Sequence, residues 1–159
     1  MKTDAESYTP VVSWSTICFF LCISMKLNWT TVSVDWANAF IQATLKEPMY
    51  MSTPRGFMNK HGRKGCLRFT KSIYGSKFAP RNWYMHLQKA LLALGMKECA
   101  FDKCLLYRKN LMMVLYVDDA SIAAPNEEII HEFVNELRNT KHIICEHLSQ
   151  LIYLRCNTH

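Results

Sequence analysis

Apolar and polar positions fall into blocks along the 159-residue chain, and the sharpest block lies in its last third. Leu111 to Val117 is an unbroken apolar run, Asp118 and Asp119 interrupt it, and Ala120 to Ala124 resume it around Ser121. A short apolar run without alternation fits a strand buried on both faces better than an amphipathic helix. Neighbouring residues of a regular strand point to opposite faces, so both carboxylates approach one point only if the chain turns there. The pattern therefore predicts a hairpin with a doubly acidic tip. Leu105 to Tyr107 reads as its antiparallel neighbour, joined through Arg108, Lys109 and Asn110.

Helical spacing organises much of the rest. Ser13 is placed to cap a helix from Trp14 to Leu27, with Ile17, Phe20, Leu21 and Ser24 on one face and Asn28 at its end. Pro80 suits the first turn of a helix to Leu94 that carries Trp83, Leu87, Ala90, Leu91 and Leu94 on one face, with Gly95 as its stop. Asn126 caps a last helix, with Glu127 and Glu128 in its first turn and Ile129, Ile130, Phe133 and Leu137 facing inward. Between these, Thr30 to Val34 alternates as a strand that ends at Asp35, and residues 36–41 suit a short helical turn. Tyr50-Met51, between Pro48 and Pro54, and Cys66 to Phe69 read as short strands. A lead-in before Thr9, a basic loop from Asn59 to Gly65 and a loop from Ser72 to Ala79 pivoting on Gly75 complete an α+β, mostly antiparallel pattern.

Half of the residues are apolar or aromatic, enough to bury the core of one domain. The apolar stretch from Ile17 to Ile23 is too short to span a bilayer, and Asp4 and Glu6 stand where a basic leader would begin, so neither membrane insertion nor secretion is expected. Seven cysteines with no CxxC pair predict reduced thiols in an intracellular compartment. Cys18 and Cys22, four apart, are expected as small core residues on one helix face.

The net charge of +6 conceals a segregation. No Asp or Glu occurs from Pro48 to Lys97, where ten Lys and Arg residues lie, leaving nine basic residues against all thirteen acidic ones elsewhere. Phe57, Phe69, Tyr74, Phe78, Trp83 and Tyr84 are interleaved with these charges, a pattern that favours a polyanionic partner over a merely solvated face. Asp118 and Asp119 repel one another unless a divalent cation with oxygen preference, Mg²⁺ or Mn²⁺, lies between them. Taken alone the pair also suits a surface turn, and Asp35 suits a cap.

Several segments in order resemble the reverse transcriptase of copia-type retrotransposon Pol polyproteins. Tyr116-Val117-Asp118-Asp119 is similar to the aromatic-x-Asp-Asp signature, and Asp35 followed five residues later by Phe40 is similar to the family's other acidic motif. Ser72-Ile73-Tyr74-Gly75-Ser76-Lys77-Phe78-Ala79-Pro80-Arg81-Asn82-Trp83-Tyr84 resembles a signature of the copia branch, as do residues 50–57 and 102–105. The likeness runs from about Ser7 to about Arg138; Ser76, Phe78 and Lys103 depart from it.

The resemblance implies a right-hand polymerase palm, an antiparallel sheet flanked by helices with a ferredoxin- or RRM-like core, over residues 1–139 with incomplete fingers, followed by a divergent tail at 140–159. It implies RNA-directed DNA synthesis by a two-metal mechanism, with Asp35, Asp118 and Asp119 as catalytic and metal-binding carboxylates. Phe40, Tyr74, Gly75 and Tyr116 would line the nucleotide site, and Lys77 and Arg81 would contact nucleic acid. The implied partners are an RNA template, a DNA primer, deoxynucleoside triphosphates and the integrase and ribonuclease H parts of a polyprotein, in a cytoplasmic particle or the nucleus. The alternative is a non-catalytic nucleic-acid-binding remnant of such a polyprotein.

Overall fold

In the computed structural model, which describes residues 9–58, 65–141 and 143–150, Ser13 caps the first helix as its position predicts. Its Oγ accepts the Thr16 N–H at 3.1 Å, opening α1 (Trp14–Lys26), and Asn28 closes the turn with a φ of +52°. The lead-in before Thr9, most of the basic loop, His142 and the end of the tail from 151 lie outside the described residues.

The chain divides into two compact units, with the boundaries at Ala37/Asn38 and His86/Leu87. The larger unit is built on a sheet of six strands: β1 (Thr30–Trp36), β4 (Lys97–Glu98), β5 (Leu105–Arg108), β6 (Leu111–Tyr116), β7 (Asp119–Ala124) and β8 (Cys145–Gln150). Their order is β4-β5-β6-β7-β1-β8, and every neighbouring pair is antiparallel. The smaller unit holds α2 (Ala39–Gln42) and a separate two-stranded sheet of β2 (Thr44–Ser52) and β3 (Cys66–Lys71). Helix α3 (Ala79–Ala93) contains the boundary at residue 86, and α4 (Glu127–Lys141) belongs to the larger unit. The molecule is thus mixed α/β with antiparallel sheets, as the pattern of elements implied.

Strand alternation sorts the larger unit's core. Val32, Val34 and Trp36 of β1, Ala120 and Ile122 of β7 and Met113 and Leu115 of β6 share one face through their register, and all are buried. Helix α4 packs on β7 and β1, and Ile130, Phe133, Val134 and Leu137 are its buried side chains. Asn126 caps it as expected, its Oδ1 accepting the Ile129 N–H at 3.1 Å. Arg108 ties three elements together: it donates to Glu136 of α4 at 2.9 Å and to the Leu94 carbonyl after α3 at 3.3 Å, and it lies 4.6 Å above the Phe133 ring.

Three expectations are corrected. Cys18 and Cys22 are both exposed, because α1 buries only Phe20 and Ser24 and turns the cysteine face to solvent. The strand predicted at Tyr50-Met51 extends back through Pro48, which is tolerated because the β2–β3 register breaks between Thr44 and Met49, releasing the ladder where Pro has no N–H to give. Asp119 is not in the turn but begins β7. The short strand β4 was not signalled by any alternation.

Asp102 fastens α1 to the approach to β5. Its carboxylate accepts the Thr16 hydroxyl at 2.6 Å, the Ser13 N–H at 3.1 Å and the Cys104 N–H at 2.9 Å. Partial burial opposes its charge, but these donors outweigh burial and hold the carboxyl below its ordinary value. A carboxyl lowered in the folded state stabilises above the unfolded value, near 4, and that stabilisation is lost as pH falls through the folded value below it. Asp102→Ala is therefore expected to cost about 1–2 kcal/mol at neutral pH, where the bonds are charge-assisted and part-exposed, with the deficit shrinking below pH 4. Denaturant midpoints measured across pH check this; a deficit constant with pH contradicts it.

Candidate active site

The acidic positions are gathered by register. Asp35 of β1 is the direct cross-strand partner of Asp119 of β7, and Asp119 is in turn the partner of Tyr116 of β6. Alternation therefore sets Tyr116, Asp119 and Asp35 in one row on the sheet face opposite Val34, Ala120 and Leu115. The row is open to solvent: all three residues are exposed. Val114, Ser121 and Ser33 form the next row behind it on the same face.

Pairing of Tyr116 with Asp119 leaves Val117 and Asp118 as a two-residue turn. Val117 has φ +54°, while that of Asp118 is not positive. A positive φ at the first of two turn residues alone is the type II′ pattern, whose twist suits a hairpin but whose first position normally holds Gly. A β-branched side chain there is a true outlier, costing of the order of 1–3 kcal/mol. The turn holds Asp118 next to the row rather than opposite a partner strand.

Partial burial of its carboxyl, then the charge of Asp118, then that of Asp35 raise Asp119 above the ordinary carboxylate value. The donors are all hard carboxylate oxygens and their charges are mutually unfavourable, which fits a divalent cation in kind. Among the described residues, however, no three Asp, Glu, His or Cys side chains are gathered closely enough to hold a metal ion. What the structure brings together is the Asp35–Asp119 pair with Asp118 in the adjoining turn.

The remaining candidates lie in the smaller unit. Phe40 of α2 is buried, with its ring centroid 4.6 Å from that of the exposed Tyr74 at a tilt of 57°. Gly75 follows with φ +82° and nothing crowding the place where a Cβ would stand, so backbone conformation alone requires glycine there. Lys77 is exposed and Arg81 half-buried, and both already take part in interactions within the chain. Of the aromatics interleaved with the basic residues, Trp83 and Tyr84 are buried, and Phe57 and Tyr74 are exposed.

A family model described as reverse transcriptase (RNA-dependent DNA polymerase) matches residues 2–154. The chain is 32% identical over 137 residues to the Retrovirus-related Pol polyprotein from transposon RE1 of Arabidopsis thaliana, covering 84% of this chain and 9% of that protein. It is 33% identical over 147 residues to the corresponding polyprotein from transposon RE2 of the same plant, covering 90% of this chain and 10% of that protein. A third relative, the polyprotein from transposon TNT 1-94 of Nicotiana tabacum, is 28% identical over 137 residues, covering 83% and 10%. The chain thus spans about a tenth of the length of these curated relatives. None of these similarities favours a non-catalytic remnant.

Two outcomes follow from the turn and its charges. Val117→Gly removes the backbone strain but adds chain entropy of about 0.5–1 kcal/mol, for a net gain of about 1 kcal/mol and a rise in Tm of about 2–4 °C. No gain in Tm would mean that the turn is not strained. Asp119 is the reverse of Asp102: with its folded value raised, its contribution is fully present below the unfolded value near 4 and is lost as pH rises through the folded value. Asp119→Asn should therefore raise Tm at neutral pH in the absence of divalent cations and flatten this part of the pH profile. A lower Tm at neutral pH would contradict the repulsion.

Proposed function

The chain belongs to the reverse transcriptase (RNA-dependent DNA polymerase) family, and from that premise we propose that its larger unit is the palm of a template-directed DNA polymerase, one domain of a Pol polyprotein. The observation that carries this reading is the in-register pairing of Asp35 with Asp119 beside the Asp118 turn. Two acidic segments more than eighty residues apart in sequence meet at one end of an antiparallel sheet, on its open face. The substrates are an RNA template, a DNA primer and deoxynucleoside triphosphates, and the setting is an intracellular particle or the nucleus.

In this mechanism Asp35 and Asp118 would hold a pair of Mg²⁺ or Mn²⁺ ions, with Asp119 supporting the cluster. When bound, such a pair activates the primer 3′-hydroxyl and stabilises the pyrophosphate leaving group. The chain's own residues supply the rest. The β1–β7 ladder fixes Asp35 relative to Asp119 and, through it, to the turn that carries Asp118, and preorganisation of this kind removes the orientational part of the barrier. Tyr116, in the same row, offers an exposed ring at the edge of the acidic cluster. Within the smaller unit Phe40, the aromatic to which the family resemblance gives exclusion of a ribose 2′-hydroxyl, is held against Tyr74, and Gly75 gives the loop after Tyr74 its conformation.

Primer extension on an RNA template with Mg²⁺ or Mn²⁺ tests the assignment. Asp118→Asn should reduce incorporation by about 10²-fold or more, as for loss of one electrostatic element of an active site. Extension that survives this substitution would sink the assigned mechanism. In a separate measurement that needs no turnover, Mg²⁺ should raise the Tm of the parent chain and leave that of Asp35→Asn unmoved.

A further inference from the structure

The outward turn of Cys18 and Cys22 presents two thiols that the proposed chemistry does not use. Both are free and exposed, and both lie on α1, which packs against β6 of the larger unit. Trp14, Cys18, Cys22 and Met25 follow one another at intervals of four, four and three residues, which is one stripe of a helix. Burial agrees with the spacing: Trp14 is 76% exposed and Met25 53%, whereas Phe20 and Ser24 are the buried residues of the helix. Three neighbours on this stripe carry sulfur.

Side chains four residues apart on a helix have their Cβ atoms about 5–6 Å from each other. Two metal–sulfur bonds of about 2.3 Å span about 4–5 Å, so two thiolates on such positions can share one ion without unwinding the helix. Helical side chains also lean toward the N-terminus, which brings Cys22 over the turn that carries Cys18. The donor set then decides which ion is held. Helix α1 contains no Asp, Glu or His, and among the described residues no three His, Cys, Asp or Glu side chains are gathered for the four-ligand closure that Zn²⁺ takes. Thiolate and thioether sulfurs are soft donors, and they select Cu(I), which is satisfied by two or three of them.

We propose that Cys18 and Cys22 form a binding site for one soft univalent cation, Cu(I), held between their thiolates with the Met25 thioether as a weaker third ligand. On binding, two S–H bonds break, two Cu–S bonds form and both protons pass to solvent, with no change of oxidation state. The bis-thiolate unit carries one net negative charge, and Lys26, one turn beyond Cys22, is exposed and placed to offset it. The ion ties successive turns of α1 together and so stabilises the helix that Asp102 fastens to the approach to β5. The site is separate from the acidic row, whose oxygens suit hard ions, and it does not depend on the polymerase reading.

The test is an anaerobic titration of the reduced full chain with Cu(I) supplied as its bicinchoninate complex, whose loss of colour reports transfer to the protein. The parent should take up one ion per chain in its tightest step, with a rise in Tm. Cys18→Ser and Cys22→Ser should each weaken that step by more than the about 10- to 100-fold that loss of an outer-shell partner costs, and should lose the rise in Tm. Cys66→Ser removes another exposed thiol, on β3, and should behave as the parent does. Met25→Leu should weaken binding by less than either serine variant, and equality with the parent would strike Met25 from the site. Circular dichroism confirms that each variant is folded, with Cys18→Ala and Cys22→Ala in place of a serine variant that is not. Parent-like uptake by both Cys18→Ser and Cys22→Ser overturns the proposal, as does no uptake by the parent. An equal loss in Cys66→Ser overturns it by making binding a property of any surface thiol. Uptake of one ion per two chains, with a dimer in sedimentation, overturns it by making the ion a bridge between copies. Displacement of the ion by excess Mg²⁺ overturns it by moving the ion to the acidic row.

Discussion

The pairing of β1 with β7 in a single register is the constraint on which both the core and the acidic row depend. Because side chains alternate, the same ladder that buries Val32, Val34 and Trp36 presents Ser33 and Asp35 on the other face. A slip of one residue would drive Asp35 into the core and bring Val34 out. Desolvating an unpaired carboxylate is far more costly than exposing one valine, so the hydrophobic face selects the register and the register delivers Asp35 to Asp119. The position of the candidate site is thus a by-product of core formation and needs no separate device.

That arrangement carries its own costs. Three carboxylates accumulate at one end of the sheet, and Val117 sits at a backbone angle that suits glycine. Both features are tolerated because the surrounding strands are buried and the hairpin is continued by a full ladder from Met112↔Ala123 to Tyr116↔Asp119. Local strain and like charge persist where neighbouring structure over-determines them, and such places are where function is sought. Elsewhere the unit uses its polar groups for attachment. Asp102 collects three donors, and Arg108 joins the Leu94 carbonyl just after α3 to Glu136 and the Phe133 ring of α4.

Much of this was legible in the residues. Ser13, Asn126, Gly75 and Gly95 act where local chemistry is decisive: two caps with hydrogen-bonded side chains and two glycines at positive φ. The acidic hairpin was visible as a break in an apolar run. Its exact turn was not, because nothing in Tyr116-Val117-Asp118-Asp119 signals that a valine takes the first turn position; local propensity would have put a small or acidic residue there. Cys18 and Cys22 defeated the reading for a different reason. Helix α1 is apolar on nearly every side, so periodicity could not tell which face tertiary packing would choose. Partner strands were equally hidden, since which acidic residue lies opposite Asp35 is a non-local fact that only register supplies.

The segregation of charge acquires a physical meaning once the burial pattern is known. Aromatic residues interleaved with basic ones looked alike in sequence, yet Trp83 and Tyr84 go to the core while Tyr50, Phe57 and Tyr74 stay at the surface. Lys77 and Arg81 are drawn into contacts within the chain, while Arg55 and Arg68 are exposed and, like Lys71, Lys89 and Lys97, have no carboxylate partner among the described residues. An excess of positive charge with no internal compensation destabilises a folded chain by self-repulsion, and a two-stranded ribbon has little burial with which to offset it.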